Sequence, residues 1–358
     1  MSANPQGSKS VTTTIRPPQL INSLVGGFNT AANNIILLAL PALLDLLLWF
    51  GPHLRVKQLF QPAMAEMLRF TRQNAQGDIG PMLDNFETLW LTFLDRFNLM
   101  SVLNTFPVGV PSQMAGTMPD ANPLGSPQGI EVGSIGQLLM IWLVLTLVGF
   151  TLGSLYFAMI ARASSVSTSA VAPTTDGSET AQSELDCQGR QGAAPPPLNL
   201  GTLGWQTVQV LLMTILLLMV VLALMVPAAL MSTFLALFSP VVAQFVLMLI
   251  AFGVIWMLIP LVFSPHGIFL CGQSALNAMM NSARLVRISL PGTGLFLIAL
   301  IVLHQGLGAL WNSAPYDTWL GMVSIFGRAF ISTALLAASF FYYRQGLRYQ
   351  QSLKRGMA

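Results

Sequence analysis

Three ionisable side chains fall inside runs of this sequence that are otherwise apolar. Asp45 stands in "ALPALLDLLLWF", His304 in "LIALIVLHQGLGALW" and Arg328 in "GMVSIFGRAFISTALL". A carboxylate, an imidazole and a guanidinium can form an ion pair, relay a proton or hold a polar solute. A lone charge at the centre of a bilayer costs ~2.5–3.5 kcal/mol on insertion scales, so such groups pair or face a cavity. At 1.5 Å per residue, Asp45 and His304 lie ~10 Å from the outer ends of their runs and Arg328 ~13 Å from its own. The spacing therefore predicts one outer layer, with an Asp45–Arg328 pair beside His304 lining a polar pocket. A structural alternative stands beside it: Arg328 snorkels outward and Asp45 bonds a neighbouring helix.

Other chemistry has no motif. The chain lacks G-x-x-x-x-G-K-[ST], H-E-x-x-H and G-x-S-x-G, and no one segment joins two acids to a histidine. No catalytic residue, cofactor or metal ligand set is expected. Cys187 and Cys271 form no C-x-x-C or Cys/His cluster, and two free thiols are expected. No run of five Lys/Arg suggests nucleic acid.

The three residues need helices to hold them. Apolar residues make up 54% of the chain and charged residues 8%, against roughly 25% charged in a soluble domain. Long apolar stretches cover Ile35–Phe50, Gln137–Ile160, Val208–Met231, Val241–Phe263, Gly294–Leu310 and Leu320–Tyr342. Most approach the ~20 residues an α-helix needs to cross the hydrocarbon core. Helices satisfy their own backbone where water is absent. The fold class read from this is all-α: a polytopic integral membrane bundle of six transmembrane helices with an extracytoplasmic amphipathic helical hairpin.

The hairpin, expected over Leu54–Asn104, rests on two periodic sets: Val56, Leu59, Phe60, Ala63, Met64, Met67, Leu68, and Met82, Phe86, Leu89, Trp90, Phe93, Leu94, Phe97. Residues 1–34 read as a cytosolic segment. Its Leu20, Ile21, Leu24, Val25 and Phe28 suggest an amphipathic helix on the membrane surface. Residues 35–160 hold the first two spans and the long outer loop. Residues 163–200, rich in Ser, Thr, Gln and Pro, read as a disordered cytosolic linker. Residues 205–343 form a four-span half, and 344–358 a basic cytosolic tail. Trp49, Trp205, Trp311, Tyr316, Trp319, Tyr342 and Tyr343 read as interfacial anchors. Lys/Arg bias puts both termini on the cytosolic side of a bacterial cytoplasmic membrane.

The stretch "GQSALNAMMNSARLVRISLPGTGLFLIALIVL" carries Ser282, Ala283, Arg284 and Leu285 ahead of an apolar run. It resembles uncharacterised bacterial six-span membrane proteins, including the membrane domain found with some glycerophosphodiester phosphodiesterases. The opening "SLVGGFNTAANNIILLALPALLDLLLWFGPHLRV" is similar to the start of such proteins. The resemblance implies a membrane scaffold and no catalytic residues. The expected function is a non-enzymatic structural or accessory component of a cell-envelope assembly, with the lipid bilayer and a protein of a membrane complex as partners. The alternative is a permease or lipid-handling carrier with a polar site in the outer half of the bundle.

Overall fold

The computed structural model describes residues 17–74, 80–171, 196–236 and 238–356. Apolar runs become helices because a helix leaves no backbone group unpaired in lipid. In chain order these are α1 (Leu20–Asn33), α2 (Ala39–Phe50), α3 (Lys57–Asn74), α4 (Gly80–Arg96), α5 (Met114–Thr117), α6 (Ile135–Val171), α7 (Leu200–Ala236), α8 (Pro240–Leu258), α9 (Ser264–Cys271), α10 (Ala275–Ile288), α11 (Leu290–Asn312) and α12 (Leu320–Gly356). The fold is all-α apart from two three-residue strands, β1 (His53–Arg55) and β2 (Gly129–Glu131).

Five described stretches are long and apolar enough to cross a bilayer: Ile135–Ser165, Leu200–Ala236, Pro240–Cys271, Leu290–Asn312 and Leu320–Leu353. A sixth candidate is the pair Leu20–Asn33 and Ile35–Phe50, bent by 91°. Helix α12 is central: 56% of its most apolar window is buried, against 0% for the stretch that contains α8.

The first helix departs from expectation. Instead of lying apart on a surface, α1 packs lengthwise and antiparallel against α12. Gln19 N–H donates to Gln345 Oε1 at 2.8 Å at one end, and Phe28 meets Phe330 at 6.0 Å towards the other. Small residues make this possible. Ser23, Gly27, Thr30 and Ala31 are buried on α1, facing an α12 that buries Ala334, Ala337 and Ala338. Such surfaces let helix axes approach closely, the usual means of association in lipid. At the bend, the backbone N–H and the side-chain amide of Asn34 both donate to Thr30 O. The break thus satisfies part of its own backbone.

Other boundaries move as well. Helix α6 runs to Val171 and α7 starts at Leu200, so helix replaces both edges of the expected linker. Residues 172–195, with Cys187, lie outside the described residues. The expected tail continues α12: Leu347 and Gln350 are buried, as is Arg344, which donates to Ser164 O. Trp205 and Trp319 are exposed as anchors would be, but Trp49, Tyr342 and Tyr343 belong to the core. Tyr342 stacks on Phe296 at 4.1 Å. Cys271 is disulfide-bonded, against the expectation of a free thiol.

The long connection between α2 and α6 is stapled at its base. Strands β1 and β2 pair in parallel, His53 with Gly129 and Arg55 with Glu131. Beside them, Val56, Leu94, Leu99 and Val132 form a small core backed by Leu138 and Ile141 of α6. From this base rises the α3–α4 hairpin. One side is charged: Arg72 bridges Asp84 at 2.6 Å and Glu87 at 3.1 Å. The helical spacing of Phe60, Met67 and Phe70, and of Met82, Phe86, Leu89 and Phe93, turns both apolar stripes to the opposite side. All seven are exposed, from 39% to 75%.

Candidate functional site

Asp45 points from α2 into the protein. Leu43 and Leu47 face outward, whereas Asp45 is 1% exposed. Its carboxylate accepts from Ser112 Oγ at 2.5 Å, Met114 N at 3.0 Å and Gln113 N at 3.1 Å. Ser112 Oγ also accepts from Ala115 N at 3.0 Å, as a helix N-cap does. Asp45 therefore locks the start of α5 onto α2. Burial of a charge is tolerable when it is hydrogen-bonded in this way.

Gln113 extends the lock across the bundle. Its amide Nε2 reaches Asn312 Oδ1 at 2.9 Å, Tyr316 OH at 3.0 Å and Ser324 Oγ at 2.9 Å. Ser324 Oγ in turn donates to Trp311 O at 2.6 Å. Trp49 Nε1 donates to Tyr316 O at 3.1 Å, and Asn122 Nδ2 to Trp49 O at 2.9 Å. The C-terminal ends of α2 and α11 and the start of α12 are thereby tied to one loop.

Arg328 and His304 do meet. Arg328 Nη2 lies 3.0 Å from His304 Nε2. A guanidinium can only donate, so this imidazole nitrogen accepts and the ring is neutral. Gly308 makes the approach possible, because a Cβ there would collide with Arg328 Nη1. The expected ion pair is not formed: no described ion pair joins Asp45 to Arg328. The two charges interact at longer range. The geometry thus brings two of the three residues into contact and commits the third to the α5 loop.

A second interior contact carries no spacing signal in the sequence. All eight residues of α9 are buried. His266 Nε2 lies 2.7 Å from Ser339 Oγ on α12, and Ser339 Oγ donates to Leu336 O at 2.6 Å. The hydroxyl has one proton, so the imidazole donates to the serine. An activated serine needs the reverse direction and a third group to orient the base. Nδ1 of His266 has no partner among the described residues. Phe340 lies 4.4 Å from the ring, and Phe263 and Phe157 meet it edge-on.

Outside the bundle, a groove of about 410 Å³ runs along the charged side of the hairpin, lined by Ala65, Leu68, Arg69, Arg72, Gln73 and Glu87. Among the described residues no three His, Cys, Asp or Glu side chains gather as metal ligands would. No family model matches this chain, and neither a curated protein nor a solved structure matches it.

Proposed function

We propose that this chain is a non-enzymatic, multi-pass membrane protein that serves as a structural or accessory component of a cell-envelope assembly. The observation that carries this reading is the α3–α4 hairpin. Beyond its packed base it exposes seven large apolar side chains, spaced so that each helix carries its own on one face. A contiguous exposed apolar surface marks a place where a protein meets a partner. The charged opposite face keeps that arm in contact with water. Asp45 adds nothing to a solute-pocket reading, because loop donors take up its carboxylate.

In this reading the bent α1–α2 pair is the first of six spans. Both termini lie on the cytosolic side of a bacterial cytoplasmic membrane and the hairpin lies outside. The support is the Lys/Arg bias: the connections at Pro227–Pro240 and Asn312–Trp319 carry none, whereas Arg284, Arg287, Arg344 and Arg348 flank the other ends. The Cys271 disulfide pulls the other way, since cytosolic thiols are kept reduced.

The test is native mass spectrometry of the tagged protein extracted gently from its own membranes. A stoichiometric second protein, lost from the variants Phe86→Glu and Leu89→Glu, is the expected result. A chain that runs alone, with both variants indistinguishable from it, overturns the reading.

A further inference from the structure

Helix α11 turns one stripe towards α12: His304, Gly308 and Trp311, at positions i, i+4 and i+7. Opposite them stand Gly327 and Arg328. The glycines are the contact points. The guanidinium lies against Gly308, and the Trp311 ring covers Gly327 so closely that a Cβ there would sit 2.5 Å from it.

The polar atoms of this seam are nearly all donors. Arg328 Nη2 is used by His304. Nη1 is buried without an acceptor among the described residues, and so is the indole N–H of Trp311. Tyr316 stands in the turn that follows α11. Its hydroxyl oxygen accepts from Gln113, which leaves its own O–H to donate. The one carboxylate in electrostatic range, Asp45, is bound by Ser112, Gln113 and Met114.

A cation within a membrane span pairs with a counter-charge or backbone carbonyls, or faces a polar cavity. Here His304, a neutral acceptor, balances none of the charge. Arg328 and His304 are each half-buried, so the pair reaches the bundle surface. Arg328 sits eight residues, or ~12 Å, along α12 from Leu320, beneath Trp319 and Tyr316. The anionic groups that a bilayer offers to a helix surface are lipid phosphates. A guanidinium fork matches phosphate oxygens in both geometry and charge.

We propose that the α11–α12 seam binds a phosphate group, with Arg328 as its charge partner and Trp311 Nε1 as a second donor. The phosphate belongs either to the headgroup of a lipid drawn in from the adjoining leaflet or to a free phosphate ion. This site goes beyond the accessory reading and does not depend on any protein partner.

The experiment uses the delipidated full-length chain. It is titrated with phosphatidylglycerol, and separately with a diglucosyl diacylglycerol of the same acyl chains, and bound lipid is counted by native mass spectrometry. Inorganic phosphate is tested as a competitor and as a thermal stabiliser. The expected result is a preference for phosphatidylglycerol of about tenfold or more, the weight of one charged hydrogen bond, lost in Arg328→Gln and reduced in Trp311→Phe. Trp311→Phe retains a ring over Gly327, so it reports on the site even where Arg328→Gln fails to fold. Competition by inorganic phosphate makes the free ion the ligand; no competition makes it the lipid. Equal binding of the two lipids with no stabilisation by phosphate overturns the proposal. So does a preference left unchanged by Trp311→Phe.

Discussion

Gln113 and Ser324 stand 211 positions apart in the chain, yet their side chains hydrogen-bond at 2.9 Å. Through that contact the loop ahead of α6 is joined to the first turns of α12, and through Asp45 the same loop is joined to α2. The polar residues of this layer form a structural clasp around the loop, and Arg328 is left outside it.

Asp45→Asn breaks the clasp at its centre. Asparagine offers one acceptor oxygen where the carboxylate offers two, and turns an NH₂ towards N–H donors. The expected loss is about 2–3 kcal/mol, the scale of hydrogen bonds to a charged group. Ser112→Ala removes one of the three donors to Asp45 together with the acceptor for Ala115 N, and is expected to cost about 1–2 kcal/mol. Thermal melts of the purified variants measure both. Asp45→Asn with an unchanged melt would remove the clasp as a stabilising element.

Gly27 tests the packing of α1. A Cβ there meets the backbone of Ala334 and lies 2.5 Å from Ala338 N, whereas one on Gly26 meets only the Phe341 ring at 3.2 Å. Gly27→Leu is expected to push α1 off α12, at about 1–3 kcal/mol for overpacking or through outright detachment. Gly26→Ala is expected to be mild. Limited proteolysis near the amino terminus reads the difference: Gly27→Leu cuts faster, and equal rates for the two variants would argue against the packing.

His53 lies outside the spans, and its titration has a definite sign. Burial lowers its pKa below the ordinary 6.5, a shift opposed by the hydrogen bond from Nε2 to Leu48 O and reinforced by Arg55. As pH falls below 6.5 the unfolded chain takes up the proton first, so stability is full above that value and declines towards the folded-state pKa. The melting temperature should drop between neutral and mildly acidic pH, and His53→Gln should flatten that part of the profile. A slope identical in the variant would assign the effect to another group.

Orientation follows from two independent readouts. A green fluorescent protein fused after Ala358 is expected to fluoresce, as it does when held in the cytosol. Cys271 is expected to resist alkylation in membranes prepared without reductant, because it is disulfide-bonded. If the reporter is dark and Cys271 is blocked, the protein sits the other way up and the Lys/Arg bias has misled. A bright reporter with Cys271 freely alkylated would mean that the bond is not made in the cell.

Five helices long and apolar enough to span were legible because each apolar run carries its own evidence. Val208–Met231 falls inside Leu200–Ala236, for example, and Gly294–Leu310 inside Leu290–Asn312. The hairpin was legible for the same reason: its periodicity is local. The first helix was legible as a helix, but its packing on α12 was not. Ser23, Gly27 and Thr30 weaken its apolar signal, and they are useful only because α12 offers a matching surface. Asp45 and Arg328 were recognisable as unusual from their surroundings, but the donors that claim Asp45 come from a Pro- and Gly-rich loop with no periodic pattern. His266 was hidden at the end of an apolar run, its partner Ser339 more than seventy positions away.

The packing of α1 on α12 also sets an order of assembly. A ribosome makes α1 well before α12, so α1 must wait beside the growing bundle without this neighbour. Until Ala334 and Ala338 emerge, the small-residue stripe of Ser23, Gly27 and Thr30 has nothing to dock against. A chain cut short before α12 therefore lacks more than that helix: α1 loses its longest contact, and quality-control proteases should find it as well.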